Sequence, residues 1–360
     1  MSSISQEKNI VIKSAGSFDR NQSLYPDGNI LNESANKKVH LTHDNMDIFS
    51  KKSIFFQKRN SFIATGNVHV KQGDSINLFC DSLNYDGLTR KFSSYGSVKF
   101  INDEMELNSN VLFFDRNANE IYFNKNGKII DSVSTIKSKE GKYFIDEKKY
   151  EFKENVIVEN PDYKIRSNMM DYFLNSEITL FYKFSTIITD NYKIFCNEGF
   201  YDPQKKIGVF KKDAKVNSES RTIFGDSIFF DENKKYASAS RNIKIIDEKE
   251  NLIIKGEYAE VFEELDSALI TKNPVAINIT KTDSLFIKAD TLISLGASQN
   301  RKVIGYYNVK FVKGTMSGKS DKIKIDNIEL LEQKFDEEAR LKELIQIKTN
   351  QQLNQQFQMG

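Results

Sequence analysis

Apolar and polar residues alternate along most of this chain with the period of two that one buried face of a β-strand requires. Ile76, Leu78 and Cys80 alternate with polar neighbours, and Leu83 and Tyr85 continue the alternation with opposite parity. A bend or bulge near Asp81 and Ser82 would bring both runs to the same core. A preceding strand is predicted in Gly66–Val70, echoed by Gly96–Phe100, Asn155–Val158 and Asn308–Phe311. Turn residues separate the strands at Gln72–Asp74, Asp86-Gly87, Asn160–Asp162, Asp202-Pro203 and Asp231–Asn233. The expected unit is a short strand, a turn and a longer bent strand.

That unit recurs every 29 residues: Ile76–Asp86, Met105–Asp115, Tyr192–Asp202 and Arg221–Asp231 align without gaps in one frame. One column holds Phe56, Tyr85, Phe114, Tyr143, Tyr172, Tyr201 and Phe230. Aromatic residues are 12% of the chain, so seven in one register is a chance of about 3 in ten million before choices of start and period are counted. A second column is apolar throughout: Phe49, Leu78, Leu107, Ile136, Ile165, Ile194 and Ile223. A third is small: Cys80, Ser109, Ser138, Ser167, Cys196 and Gly225, continued more loosely by Gly256, Ala289 and Ser320. Each repeat can hide its apolar rows only against its neighbours, which predicts a stacked all-β architecture.

Composition narrows the chemistry. Lys plus Arg is 52 and Asp plus Glu is 50, a net charge of +2 that gives no whole-chain case for nucleic-acid binding. Three His and no Trp leave little room for a three-His metal site. His40 and His43, three apart on a strand, point to opposite faces. Asp86, Asp115, Asp202 and Asp231 recur with the period just before turns, where a carboxylate accepts backbone N–H bonds, so they read as structural. Cys80 and Cys196 lie four periods apart, roughly 19 Å at one strand spacing per repeat, too far for a disulfide. No phosphate loop, GxGxxG, GxSxG or HExxH pattern occurs. No catalytic residue, metal site or cofactor is assigned. Lys91, Lys183, Lys205, Lys206, Lys211 and Lys212 lie near strand ends, where a rim could meet phosphate, or simply solvent.

No run of 18 apolar residues is present, and Met1–Lys13 lacks the basic and apolar regions of a secretory signal. Asn327–Lys348 carries Leu331, Phe335, Leu341, Leu344 and Ile345 at near-helical spacing and predicts a helix, followed by a Gln/Asn-rich end. The expected organisation is a leading segment over 1–38, a β-repeat domain over 39–326 and a helical or disordered tail over 327–360.

Gly66–Val70 with Cys80–Asp86, and above all Phe195–Asp202, resemble the OstA-like/LptA-like family, most closely the OstA-like proteins of Bacteroidetes, over about Val39–Asp326. The resemblance implies a repetitive antiparallel β-jellyroll folded over like a taco shell around an apolar interior. It implies a non-enzymatic scaffold that takes lipopolysaccharide into that interior and carries it across the periplasm during outer-membrane biogenesis. The expected groove or core residues are Leu78, Tyr85, Leu107, Phe114, Ile136, Tyr143, Ile165, Tyr172, Ile194, Tyr201, Ile223 and Phe230. The expected partners are lipopolysaccharide and other lipopolysaccharide-transport proteins joined by end-to-end strand addition, a homo-oligomer among the outcomes, and no nucleic acid. The expected location is the periplasm, in association with the outer membrane. Lys183-Phe184 replaces a Gly-Pro turn common in the family, which predicts an altered corner there. Two other readings stay open: a structural or adhesive surface β-repeat protein with a fully packed interior, and a β-helix carbohydrate-active enzyme. The enzyme would need charged clusters off the period, and the sequence has none in view.

Overall fold

The computed structural model describes residues 9–219, 221–280, 283–296 and 300–326. The helix expected over Asn327–Lys348 and the end that follows lie outside the described residues. The described chain is all β, from Val11–Ser14 to Met316–Asp326, with a 3-10 turn at Gln57–Arg59. Its contacts divide it into two units, Met1–Asn175 and Ser176–Gly360. Residues before Val39 already contribute the strands Val11–Ser14, Ser17–Arg20 and Asn29–Asn32 to the first unit.

Within each unit the strands pair antiparallel. In the first, Ser61–Gln72, Ile76–Asp86, Lys91–Ile101 and Glu106–Asp115 pair in chain order. In the second, Ile207–Asn217, Thr222–Asp231, Tyr236–Asp247 and Leu252–Phe262 do the same. The 29-residue repeat is therefore two bent strands of nearly equal length, not a short one followed by a long one. The strand expected at Gly66–Val70 begins at Ser61, and Gly66-Asn67 is the corner in its middle.

The corner has a simple backbone cause. Gly66 and Asn67 both take positive φ, 78° and 48°. Such pairs recur at Gly96-Ser97, Glu154-Asn155, Lys212-Asp213, Arg241-Asn242, Lys272-Asn273 and Tyr307-Asn308. Glycine, asparagine and aspartate tolerate this region best, which accounts for most of these residues. The left-handed pair adds one residue to its strand relative to the neighbour, so the buried row steps from Ala64 to Val68 on one strand and from Leu83 to Cys80 on the other. That is the parity change expected at Asp81 and Ser82, with the extra residue lodged in the adjoining strands. Tyr182–Phe184 departs from the pattern as expected: none of these residues takes positive φ. The strand there breaks into Thr179–Phe181 and Ser185–Ile188.

Each corner divides a strand into two arms. One carries the aromatic column and ends in turns such as Asp86–Arg90; the other carries the aliphatic column and ends in turns such as Asn102–Met105. The recurring aspartates hold the first set of turns. Asp86 accepts from the Leu88 and Thr89 N–H groups at 2.9 and 3.1 Å, and Asp115 accepts from Asn117 at 3.0 Å. Asp202 and Asp231 accept from Lys205 and Lys234, each at 3.0 Å.

Candidate functional site

The inner faces of the two arms meet, and the space between them is the candidate site. All twelve residues expected to line it are buried. In the first unit Leu78, Leu107, Ile136 and Ile165 come from the aliphatic arm, and Tyr85, Phe114, Tyr143 and Tyr172 from the aromatic arm. Phe100 crosses from the aliphatic arm to meet Phe114 edge-on, with ring centroids 6.5 Å apart. Tyr143 stacks on Tyr150 at 4.4 Å, and Tyr150 on Phe152 at 5.3 Å. In the second unit Ile194 and Ile223 face inward from one arm, and Tyr201 and Phe230 from the other. Each fully buried aliphatic or aromatic side chain contributes roughly 1.5–3 kcal/mol, so these rows dominate the stability of the stack.

Among the described residues the inward rows are buried and packed ring against ring. Beside Arg221 and Asp247 a void of about 10 Å³ lies among Ile245, Leu252, Ile254, Ala268 and Ser294, at most the room of one water. A hollow of about 630 Å³ in the first unit is lined by Lys99, Asn108, Lys128 and Lys137, side chains of the outer face of the aliphatic arm.

Where the free ends of the two arms approach, polar side chains bridge them. His43 Nδ1 and the Tyr85 hydroxyl share a 2.6 Å hydrogen bond. Arg116 donates to the Tyr85 hydroxyl at 3.2 Å and to the Asp44 carbonyl at 3.0 Å, and Arg90 pairs with the Asp44 carboxylate at 2.9 Å. Glu104, in a turn of the aliphatic arm, pairs with Lys148 in a turn of the aromatic arm and accepts from the Tyr143 hydroxyl at 3.5 Å. Burial pushes the Tyr143 phenol up to about 12, helped by the Glu104 charge. The Tyr150 hydroxyl, one ring deeper, is buried with no hydrogen-bond partner among the described residues.

In the second unit Tyr192 packs edge-on against Phe230 at 4.6 Å and donates to Glu263 at 2.5 Å. Burial first, then that carboxylate, holds its phenol above the usual range. Beside this bridge lies a buried cluster. Arg301 pairs with Asp247 at 2.7 Å, and Arg221 Nε lies 3.8 Å from the same carboxylate oxygen. Both guanidiniums also donate to the Asp266 carbonyl, at 3.1 Å from Arg221 and 3.0 Å from Arg301. Burial lowers the Arg221 pKa and raises that of Asp247, with their mutual attraction opposing both shifts.

None of these bridges was singled out in the sequence, yet the period carried a signal for two of them. The position just before each aliphatic-arm strand reads Met105, Ser134, Tyr163, Tyr192 and Arg221 at steps of 29. Arg221 puts a cation, and Tyr192, like Tyr163 before it, a hydroxyl-bearing ring, into a column that is buried throughout. Among the singled-out residues, His40 faces outward and bonds Asp47 at 2.7 Å while His43 faces the core, so the two diverge as expected. Lys91 is tied to Asp115 at 2.8 Å, Lys205 to Asp202 at 3.3 Å, and Lys212 to Glu198. Cys80 and Cys196 are buried free thiols, each pushed up to about 12 by desolvation.

Among the described residues no group of three or more His, Cys, Asp or Glu is placed to hold a metal ion. No described helix is long and apolar enough to cross a membrane, which says nothing of crossing by strands. No curated protein matches the chain. Residues 7–168, most of the first unit, match the family model described as OstA-like protein. That segment, a little under half of the chain, is similar to the OstA-like protein family, and the bent-strand repeat runs through it.

Proposed function

We propose that the protein is a lipopolysaccharide-binding scaffold of outer-membrane biogenesis. It accepts acyl chains between the two arms of its bent strands and hands them on across the periplasm. Its strands form a repetitive jellyroll folded around an apolar spine. The match of residues 7–168 to the OstA-like family supports a lipid-transport role in general. The observation that carries the reading is the construction of the interior. Two rows of buried apolar side chains face each other, and among the described residues the bonds found across their free ends run through side chains, as in Glu104–Lys148 and Tyr192–Glu263. No backbone pairing need break for such a mouth to part. Each acyl CH₂ that replaces a side chain's contacts recovers about 0.8 kcal/mol, so acyl chains can exchange with the packed rows without covalent chemistry.

The unpartnered Tyr150 hydroxyl is a polar atom within that interior that an incoming ligand could satisfy. Transfer to other transport proteins, or to further copies of this chain, would run through edge strands. Among the described residues, Ser17–Arg20 pairs only with Asn29–Asn32, and Met316–Asp326 only with Lys302–Lys313. Each leaves backbone donors and acceptors for strand addition.

A photoreactive residue at Ile165 or Ile194 tests this reading. Crosslinks to lipopolysaccharide should rise several-fold over background; yields equal to those from a probe on the outer face would remove the transport reading. The packed inward rows and the void of about 10 Å³ favour a second one, a structural or adhesive β-repeat protein that takes up no lipid. The same crosslinking result separates the two.

A further inference from the structure

The outer face of the aliphatic arm in the second unit has a composition that the interior does not explain. Following cross-strand partners outward from Phe195, the row reads Lys215, Phe224, Lys244, Lys255, Val275 and then Lys288. It ends with Lys310 and Lys319. At about 4.8 Å per strand the row runs roughly 40 Å. The next row toward the turns includes Ile246, Ile253, Ile277 and Phe286, again direct cross-strand partners. All four project outward and are only partly covered. Neither row contains an acidic residue. Among the described residues, Lys215, Lys244, Lys255, Lys310 and Lys319 make no ion pair.

The first unit has the same row, with Lys99, Lys128, Lys137 and Arg166 on it, but carboxylates of the next row toward the turns meet part of its charge. Lys99 pairs with Glu106 at 2.8 Å, while Glu159 holds Lys164 at 2.7 Å and Lys137 at 4.0 Å. Like charges directly opposite across strands are destabilising, so the second unit maintains its lysine row against a local cost.

We propose that this face of the second unit docks on the surface of an anionic lipid bilayer. The lysines would meet headgroup phosphates, and the isoleucine–phenylalanine row beside them would enter the boundary between headgroups and acyl chains. A single-stranded nucleic acid is the other polyanion to weigh, and it needs open ring faces for stacking. Here those faces are occupied. The Lys215 ammonium lies 5.3 Å from the ring centroids of both Phe195 and Phe224, and Lys244 lies 5.8 Å from that of Phe224. An aliphatic row serves no purpose against a phosphodiester chain.

The test is co-sedimentation of the full chain with phosphatidylcholine vesicles, with and without about 30 mol% phosphatidylglycerol. Binding should require the anionic lipid and weaken with salt. Combined Lys244→Gln, Lys255→Gln and Lys310→Gln should lower affinity about a hundredfold. Ile253→Ser, which leaves every charge in place, should lower it about tenfold. Combined Lys99→Gln, Lys128→Gln and Lys137→Gln in the first unit should change it less than about threefold. Circular dichroism checks that each variant keeps its β signal. Equal binding to neutral vesicles, equal loss in the two lysine triples, or displacement by a single-stranded oligonucleotide would each overturn the proposal.

Discussion

Tyr150 shows what a single position in this fold demands. Its ring is sandwiched between Tyr143 and Phe152 and its side chain is fully buried. Burial pushes its phenol far above the ordinary range. The same desolvation acts on Cys80 and Cys196, raised from an ordinary 9.0 to about 12, and on Tyr143, raised from 10.0 to about 12. A folded pKa above the unfolded one means stability that is complete below the unfolded pKa and lost as pH climbs through the folded one. The urea midpoint should therefore be flat up to about pH 9 and fall between 9 and 12; a midpoint independent of pH over that window would contradict the burial of these groups. The thiols should also resist alkylation at pH 8 in native protein and react quickly once it is unfolded. Among the core rows, Ile165→Ala should cost about 2–5 kcal/mol, read by urea titration, because a stacked interior relaxes poorly around a lost side chain.

At the scale of the strand, the left-handed corner is the device that makes the fold. Gly96 has φ 74°, and a Cβ there would lie 2.9 Å from the Asp81 Cβ on the neighbouring strand. Gly96→Ala should cost about 1–2 kcal/mol, from the left-handed penalty and the displaced aspartate. Asn67→Ala, at the second position of the preceding corner, should cost less, since a Cβ is already accommodated there and alanine meets only the penalty. A differential scan that ranks the two the other way would mean that the corner is not set by backbone conformation. The corners also explain what was legible from sequence. Alternation with a parity break is readable in Leu78, Cys80, Leu83 and Tyr85, and the register shifts on both neighbouring strands lie beside that break. The local pattern starts this strand at Gly66, five residues after its true start at Ser61, because a glycine followed by an asparagine reads locally as a turn between strands. Only pairing on both sides, with Ser61–Asp86 at one end and Gln72–Ile76 at the other, makes it the middle of a strand.

At the scale of the whole molecule the question is how a packed stack could admit anything. The bridges at the mouths of the two units differ in burial. Lys148 and Glu104 remain partly exposed, whereas the side chains of Arg301 and Asp247 are 3% and 5% exposed. Partly exposed pairs contribute about 0–1 kcal/mol, so Glu104→Gln should change stability by less than about 1 kcal/mol. If the mouth parts to admit lipid, the same substitution should raise crosslinking to lipopolysaccharide at Ile165 two- to tenfold. Unchanged yield would place entry elsewhere. Removing Arg301 alone strands buried charge and should cost about 3–5 kcal/mol by thermal or chemical melt.

What the sequence determined by itself is most of what the period enforces: the all-β class, the inward aromatic column, the inward aliphatic column from Leu78 on (its expected first member, Phe49, instead stacks on His40 on the outer face), the aspartate-held turns and the opposite faces of His40 and His43. These follow because period-two alternation and a fixed repeat length constrain each residue through its nearest neighbours in the stack. What only the tertiary structure decided is which residues far apart in the chain come together, as Glu104 does with Lys148, Tyr192 with Glu263 and Arg221 with Arg301. It also decided that lysines from six different strands share one row in the second unit, while in the first Lys99 and Lys137 of the matching row meet glutamates. Such meetings depend on where the corner folds one arm onto the other and on cross-strand register, and neither quantity is written in the local pattern.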